Sequence, residues 1–275
     1  MTLSNRKILR TLLCLLAGTL YAVCLSACDA KEPLSENRDA EIESPVIAND
    51  LSNQKVTAIA EDTQGHIWIG TFRGLNKNNV HDYHQYFCTD DSLGLPDNQI
   101  THLLRDSKNR FWVGTVNGVC LYTDKDNFRI IPIEADNKNV RQILEDRNGR
   151  IFLNTGFQLY AYHPREEKIT CVLPEISPGN AFYAQCHIAP DNNLWVMTST
   201  GLRCYDPSTL QLKESVALSG YPYYSYLHNN ELWITGNHTL SIFDTRTRSF
   251  KPLPQPIARN TTLCNADIDY IHPYG

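Results

Sequence analysis

Seven side chains in this sequence have the types that hold a polyhydroxylated ring: Phe72, Arg73, Asn117, Phe157, Thr200, Asn237 and His238. A flat aromatic face stacks on the apolar side of such a ring, and neighbouring amides, hydroxyls and guanidinium groups bond to its hydroxyls. Their spacing is regular. Each lies four to six residues beyond an aromatic anchor, at Trp68, Trp112, Phe152, Trp195 or Trp233. Val116 and Gln158 share those positions. Phe72 and Arg73 fit the chemistry best, as a ring beside a fork of donors. The cluster Tyr221-Pro222-Tyr223-Tyr224 reads either as a stacking platform or as strand aromatics at a sheet edge.

Other residues invite chemistry and support it less. Asp62, Asp106 and Asp146 each stand six residues before an anchor. A lone carboxylate at a strand end suggests proton transfer, but one that recurs with the repeat reads as a turn cap. His81 and His84 are three apart in an expected strand, so they face opposite ways and make a poor metal pair. The six Cys after the first 28 residues are Cys88, Cys120, Cys171, Cys186, Cys204 and Cys264. An even number permits disulfides, but Cys120 and Cys204 fall at equivalent places where a small buried side chain suffices. No CxxC, HExxH, GxSxG or phosphate loop occurs. The sequence implies no cofactor, metal or catalytic residue. The triplets at 237–239 and 260–262 match the glycosylation pattern and are read as chance.

The elements that position these residues come from a repeat. The anchors are 44, 40, 43 and 38 residues apart. Three before each anchor stand Gly65, Asn109, Gly149, Asn192 and Asn230, the residue types that tolerate a left-handed backbone in a tight turn. Twelve and nine before lie apolar residues such as Val56 and Ile59, or Ile100 and Leu103, which mark a strand. The anchor strand follows, then a third strand with Leu75, Val119, Leu159, Leu202 or Leu240 seven beyond the anchor. A variable fourth strand closes the unit. A period of about 40 to 45 residues with four short strands predicts an all-β fold, a β-propeller of four-stranded blades. The anchors are expected to be core, filling the space between blades.

Five full repeats run from Leu51 to Arg259, and a sixth begins at Cys264 and stops at Gly275. The expectation is an incomplete ring, from a fragment of a longer protein or a truncated reading frame. The composition is globular, at 42% hydrophobic, with a net charge of −5 that argues against a nucleic-acid surface. The first 28 residues differ. Arg6, Lys7 and Arg10 precede an uncharged apolar run from Thr11 to Ala27. This reads as an export signal. Its end, Leu25-Ser26-Ala27-Cys28, resembles a bacterial lipobox, which would make Cys28 a lipidation site; an ordinary cleaved signal and an uncleaved anchor are the alternatives. All three place the repeats in the periplasm or at the cell surface. Residues 29–50 are polar and acidic, a tether within which Ser44–Ala48 is expected to form a strand, with closing the ring on the last blade as one role for it. Residues 51–275 form the partial propeller.

The run Val56 to Leu75 (VTAIAEDTQGHIWIGTFRGL) resembles the two-component regulator propeller repeat, and Leu95-Pro96-Asp97-Asn98 matches that family's link between blades. The resemblance is strong in the first two repeats. It weakens where Phe152 replaces Trp and Asn154 replaces Gly, and again in the fifth repeat. It implies the periplasmic sensor of a hybrid histidine kinase, with a seven-bladed ring in the intact relative. The implied ligand is an oligosaccharide, the output is gene expression, and the full-length protein would be a homodimer. Membrane attachment would come through Cys28 or through a helix further downstream. No kinase His box, nucleotide-binding glycines or receiver aspartates occur in the sequence. The alternatives are a free-standing surface lipoprotein acting as scaffold or glycan binder, and a propeller lyase or glycosidase.

Overall fold

The computed structural model describes residues 45–79, 81–89, 94–123, 126–176 and 184–260. The chain separates into two units, Met1–Ser44 and Pro45–Gly275, and every described residue belongs to the second. The export signal, Cys28, the sixth repeat and Cys264 lie outside the described residues.

Strand β1 (Val46–Ala48) precedes five antiparallel sheets, each a meander of four strands. The first blade is β2 (Val56–Glu61), β3 (Ile67–Thr71), β4 (Gly74–Asn79) and β5 (Asp82–Tyr86). The second is β6 (Ile100–Arg105), β7 (Phe111–Thr115), β8 (Gly118–Tyr122) and β9 (Phe128–Ile131). The third is β10 (Gln142–Glu145), β11 (Ile151–Asn154), β12 (Leu159–His163) and β13 (Lys168–Leu173). The fourth is β14 (Gln185–Ile188), β15 (Leu194–Thr198), β16 (Gly201–Tyr205) and β17 (Leu212–Ala217). The fifth is β18 (Pro222–His228), β19 (Glu231–Gly236), β20 (Thr239–Asp244) and β21 (Ser249–Lys251). A one-turn helix, Gln255–Ala258, ends the described chain. The first strands β2, β6, β10, β14 and β18 neighbour one another in order. They form the hub of a β-propeller, with the fourth strands outermost.

Consecutive blades bury their facing surfaces. Trp68, Leu75 and Tyr86 of the first blade form one apolar cluster with Ile100, Phe111 and Val113 of the second. Trp112 and Val119 meet Val140, Ile151 and Tyr160 in the same way. Phe152 meets Cys186 and Val196, and Trp195 meets Leu232 and Phe243. Trp68, Trp112, Phe152 and Trp195 are fully buried. Trp233 is only half-buried, because no described blade follows it. The opposite face of the first blade is also open, with Ile59 65% and Val56 43% exposed.

Two repeated devices explain the motif. First, the Trp68 indole N–H donates to Asp62 Oδ2 at 2.8 Å, while Oδ1 accepts from the Gln64 and His66 amides. Burial raises the Asp62 pKa, but the hydrogen bonds from Trp68, His66 and Gln64 outweigh it and leave the carboxyl below its ordinary value. Asp106 repeats this with Trp112 at 2.8 Å and the Lys108 and Arg110 amides. The acid therefore caps the turn and also anchors the indole. Where one partner is missing, the other is stranded. Asp146 faces Phe152, and its Oδ2 has no partner among the described residues. Trp195 faces Ala189, and its Nε1 likewise has none.

Second, the glycine two beyond the anchor admits the next blade. A Cβ on Gly70 would lie 2.5 Å from Ile100 Cγ2, and one on Gly114 would lie 3.1 Å from Val140 Cγ1. The hub strands must approach that closely for the ring to close up.

Two expectations need correction. The strand near residue 46 exists, but it pairs with β5, at the outer edge of the first blade, not with the last blade. In the fifth blade the left-handed residue is Asn229, with φ 56°, in place of Asn230. Its first hairpin pairs His228 directly with Glu231, which makes the turn shorter by one residue. In the other four blades Gly65, Asn109, Gly149 and Asn192 have the positive φ that their types suggest. Cys120, Cys186 and Cys204 are buried thiols, and Cys171 is an exposed one.

These devices set stability. Asp106→Ala strands the Trp112 indole and two amides, and is expected to lower the urea-unfolding free energy by roughly 2–3 kcal/mol. Ala189→Asp restores the missing partner of Trp195 and is expected to raise it by about 1 kcal/mol; a loss instead would mean that the indole bond does not fix the acid. Gly70→Ala is expected to cost about 1–3 kcal/mol through overpacking against Ile100, and Ile100→Val in the same chain should recover part of it. Chemical denaturation followed by Trp fluorescence reads all four variants.

Candidate functional site

The hub strands carry the chemistry. Successive residues of a strand alternate sides, so the residues paired with the anchor and with the position two beyond it share one face of each first strand, the face that the anchor itself takes. At one level, paired with the residue two beyond the anchor, stand Ala58, His102, Gln142, Gln185 and Tyr224. At the next level, paired with the anchor itself, stand Ala60, Leu104, Leu144, His187 and Tyr226. His102, Gln142, Gln185, His187, Tyr224 and Tyr226 line one cavity of about 440 Å³ on the channel wall.

The amides fix this wall by acting as extra rungs between blades. Gln142 Oε1 accepts from the Cys186 amide at 2.9 Å and from Asn154 Nδ2 at 2.7 Å. Its Nε2 donates to the Cys186 carbonyl at 3.3 Å. Gln185 does the same one blade on, accepting from the Ser225 amide at 2.7 Å and donating to the Tyr223 carbonyl at 3.3 Å. His187 Nε2 lies 2.8 Å from Ser225 Oγ. Burial pushes the His187 pKa down to about 4. Burial also pushes His102 down to about 4, against a backbone hydrogen bond to Ile143. Both rings are therefore neutral at pH 7, and each neutral imidazole both donates and accepts. The cavity offers two neutral imidazoles, two amides, two phenols and the Arg141 guanidinium. Among the described residues that line it there is no carboxylate, so the acid pair of glycoside hydrolysis has no counterpart there. Among the described residues no group of three or more His, Cys, Asp or Glu lies together to hold a metal.

The seven residues singled out by spacing lie at the rim. Phe72, Arg73, Asn117, Thr200, Asn237 and His238 occupy the turns between second and third strands, and Phe157 the longer loop of the third blade. All five loops sit at the same end of their sheets, where the hub strands begin. Three of the turns are stapled by the Thr that precedes them. Thr71 donates to the Gly74 carbonyl at 2.9 Å and accepts from the Arg73 amide at 3.1 Å. Thr115 and Thr198 repeat this with Gly118 and Gly201. Gly74, Gly118 and Gly201 have φ of 127°, 132° and 150°, which is why glycine follows each turn. Arg73, Asn117, Thr200, Asn237 and His238 are exposed. Phe72 is half-buried, and Lys55 Nζ sits 3.9 Å from its ring centroid, covering one face. None of the seven lines the channel cavity, and Thr200 belongs to an outer groove with Arg203 and Ser215.

Sequence reasoning took the hub strands as apolar and passed over their polar side chains. The signal was present as alternation: His102, Gln142 and Gln185 each stand beside Leu103, Ile143 and Cys186. The Tyr-rich run divides. Tyr224 and Tyr226 line the cavity, while Tyr221 and Tyr223 pair outside it in a tilted arrangement, with centroids 6.1 Å apart.

Residues 50–73 and 94–117 match the family model described as two component regulator propeller. The chain carries two-component regulator propeller repeats. No curated protein matches it. Among solved structures, the extracellular domain of a hybrid two component system from B. thetaiotaomicron is similar over 78% of this chain and 37% of that one, at 15% identity and a TM-score of 0.46. The chain thus spans little more than a third of that domain. Virginiamycin B lyase from Staphylococcus aureus is similar over 78% of this chain and 75% of that one, at 18% identity and a TM-score of 0.58. A streptogramin B lyase is similar over 78% and 76%, at 17% identity and a TM-score of 0.57. At these identities the likeness is one of fold alone.

The buried imidazoles make stability depend on pH. A histidine with a depressed folded pKa contributes fully above the unfolded value of 6.5, and that contribution is lost as the pH falls toward about 4. The urea midpoint is expected to fall across this window. His102→Gln copies the residue that the third and fourth blades place at that level, and His187→Leu copies Leu104 and Leu144. The double variant should flatten the profile between those two pH values, and an unchanged slope would place the titration elsewhere.

Proposed function

We propose that this chain is the extracytoplasmic ligand-sensing propeller of a hybrid two-component sensor and regulator. It detects an oligosaccharide and passes the signal to gene expression. The family match of the first two repeats supports the sensor role. The basic start and apolar run before Cys28 support export. The chain then lies in the periplasm or at the cell surface, held to the membrane by lipid on Cys28 or by a downstream helix. Its full-length form is a homodimer.

One observation carries the ligand class. The channel cavity joins two tyrosine rings and the Arg141 guanidinium to neutral donors and acceptors that are already fixed by bonds between blades. Sugars need just this mixture of flat apolar faces and hydroxyl partners, and a preorganised wall costs little entropy on binding. We further take the rim residues Arg73, Asn117 and His238 to meet the outer rings of a longer chain.

Calorimetry of the whole chain against a panel of oligosaccharides tests this. At least one is expected to bind, and Tyr224→Ala should weaken it at least about tenfold, or ~1.4 kcal/mol. Binding that ignores Tyr224 and Tyr226 would remove the channel as the site. Cleavage of a panel member, in place of reversible binding, would replace the sensor with an enzyme.

A further inference from the structure

A second built cavity lies between the first and second blades, at the end of the sheets opposite the rim described above. It encloses about 290 Å³ and is lined in part by two carboxylates, Asp62 and Asp126, two cations, Lys77 and Arg105, and the rings of Phe111 and Tyr122. Its side chains come from strands β4, β6, β7 and β8 and from the turns that follow the first and third strands, and none of them lines the channel cavity.

Two cations line this space, and one of them, Lys77, is close enough to the Asp126 carboxylate to act on its charge. Lys77 Nζ lies 3.5 Å from the Tyr122 hydroxyl, 5.3 Å from the Trp68 ring centroid and 5.5 Å from that of Tyr122. One N–H thus donates to the Tyr122 hydroxyl, and the π faces favour the ammonium without engaging its other two donors. Arg105 Nη1 donates to the Asp62 carbonyl at 2.9 Å, one of five donors on that guanidinium. Neither cation forms a salt bridge among the described residues.

The two nearby carboxylates are already engaged. Asp62 is held by the Trp68 indole, the His66 ring and two amides. Asp126 Oδ1 accepts from the Tyr86 and Tyr122 hydroxyls, both at 2.7 Å. Asp126 also sits at φ 57°, a strained left-handed position, which fixes it beneath the two phenols. Phe111 and Tyr122 then supply apolar wall beside the two cations.

We propose that this pocket is an anion subsite, which takes a carboxylate or a sulfate ester carried on a flat ring such as a sugar. The anionic group lies between Lys77 and Arg105, where charge-assisted hydrogen bonds replace water. The ring lies against Tyr122. The proposal stands whether or not the channel binds a neutral sugar.

Calorimetry on the whole chain with three probes tests it: tetragalacturonate, a 6-sulfated N-acetylglucosamine, and maltotetraose as the neutral control. Either anionic probe is expected to bind, more weakly as salt rises, and the two arms say whether carboxylate or sulfate is preferred. Lys77→Met and Arg105→Gln should each weaken binding about tenfold, and Lys77→Arg should keep most of it. Tyr224→Ala in the channel should leave it unchanged. Maltotetraose binding that Lys77→Met and Arg105→Gln weaken as much as they weaken the anionic probes, indifference of anion binding to both charge variants at an unchanged melting temperature, or no binding by either anionic probe would overturn the proposal.

Discussion

A four-stranded blade has two apolar faces and cannot cover either by itself. That constraint shapes everything else here. Each blade covers its anchor with the hub strand of its successor. The close approach this needs leaves no room for a side chain on Gly70. The indole in turn is fixed by its acid, so turn, anchor and neighbouring blade form one linked unit. Blades stacked in this way gain stability from each neighbour, as repeat arrays do.

The linkage also explains how repeats decay. The third blade keeps the acid and has lost the indole, and the fourth keeps the indole and has lost the acid. Other contacts take over there. Asn154, standing where the earlier blades have glycine, donates to Gln142 and to the Ala184 carbonyl and accepts from the Gly156 amide. Asp191 assumes the turn cap by bonding to the Asn193 amide at 3.0 Å. A blade can therefore lose its signature while keeping its shape.

Much of this was legible in the sequence because strand period, turn residues and anchor spacing are local. The five meanders, the left-handed Gly and Asn turns of four blades, and the core role of the anchors were all readable from spacing. The placement of β1 was not, since a three-residue strand gives no hint of which edge it joins. Asn229 was missed because a shortened turn shifts the count by one. The candidate site was only half readable. Spacing located the rim residues, but the positions of His102 and His187 depend on which face of the hub strand lines the cavity. That is decided by packing between blades, which no local pattern encodes. The same holds for Lys77 and Arg105, separated by one repeat and brought together only by the contact of two sheets.

One detail of the first blade has a mechanical meaning. Val46, Ile47 and Ala48 lie along Gln85, His84 and Tyr83, on the outermost strand. Polypeptide arriving from before Pro45 therefore joins the wheel at its circumference, far from the axle. It shields an edge that would otherwise invite stray pairing.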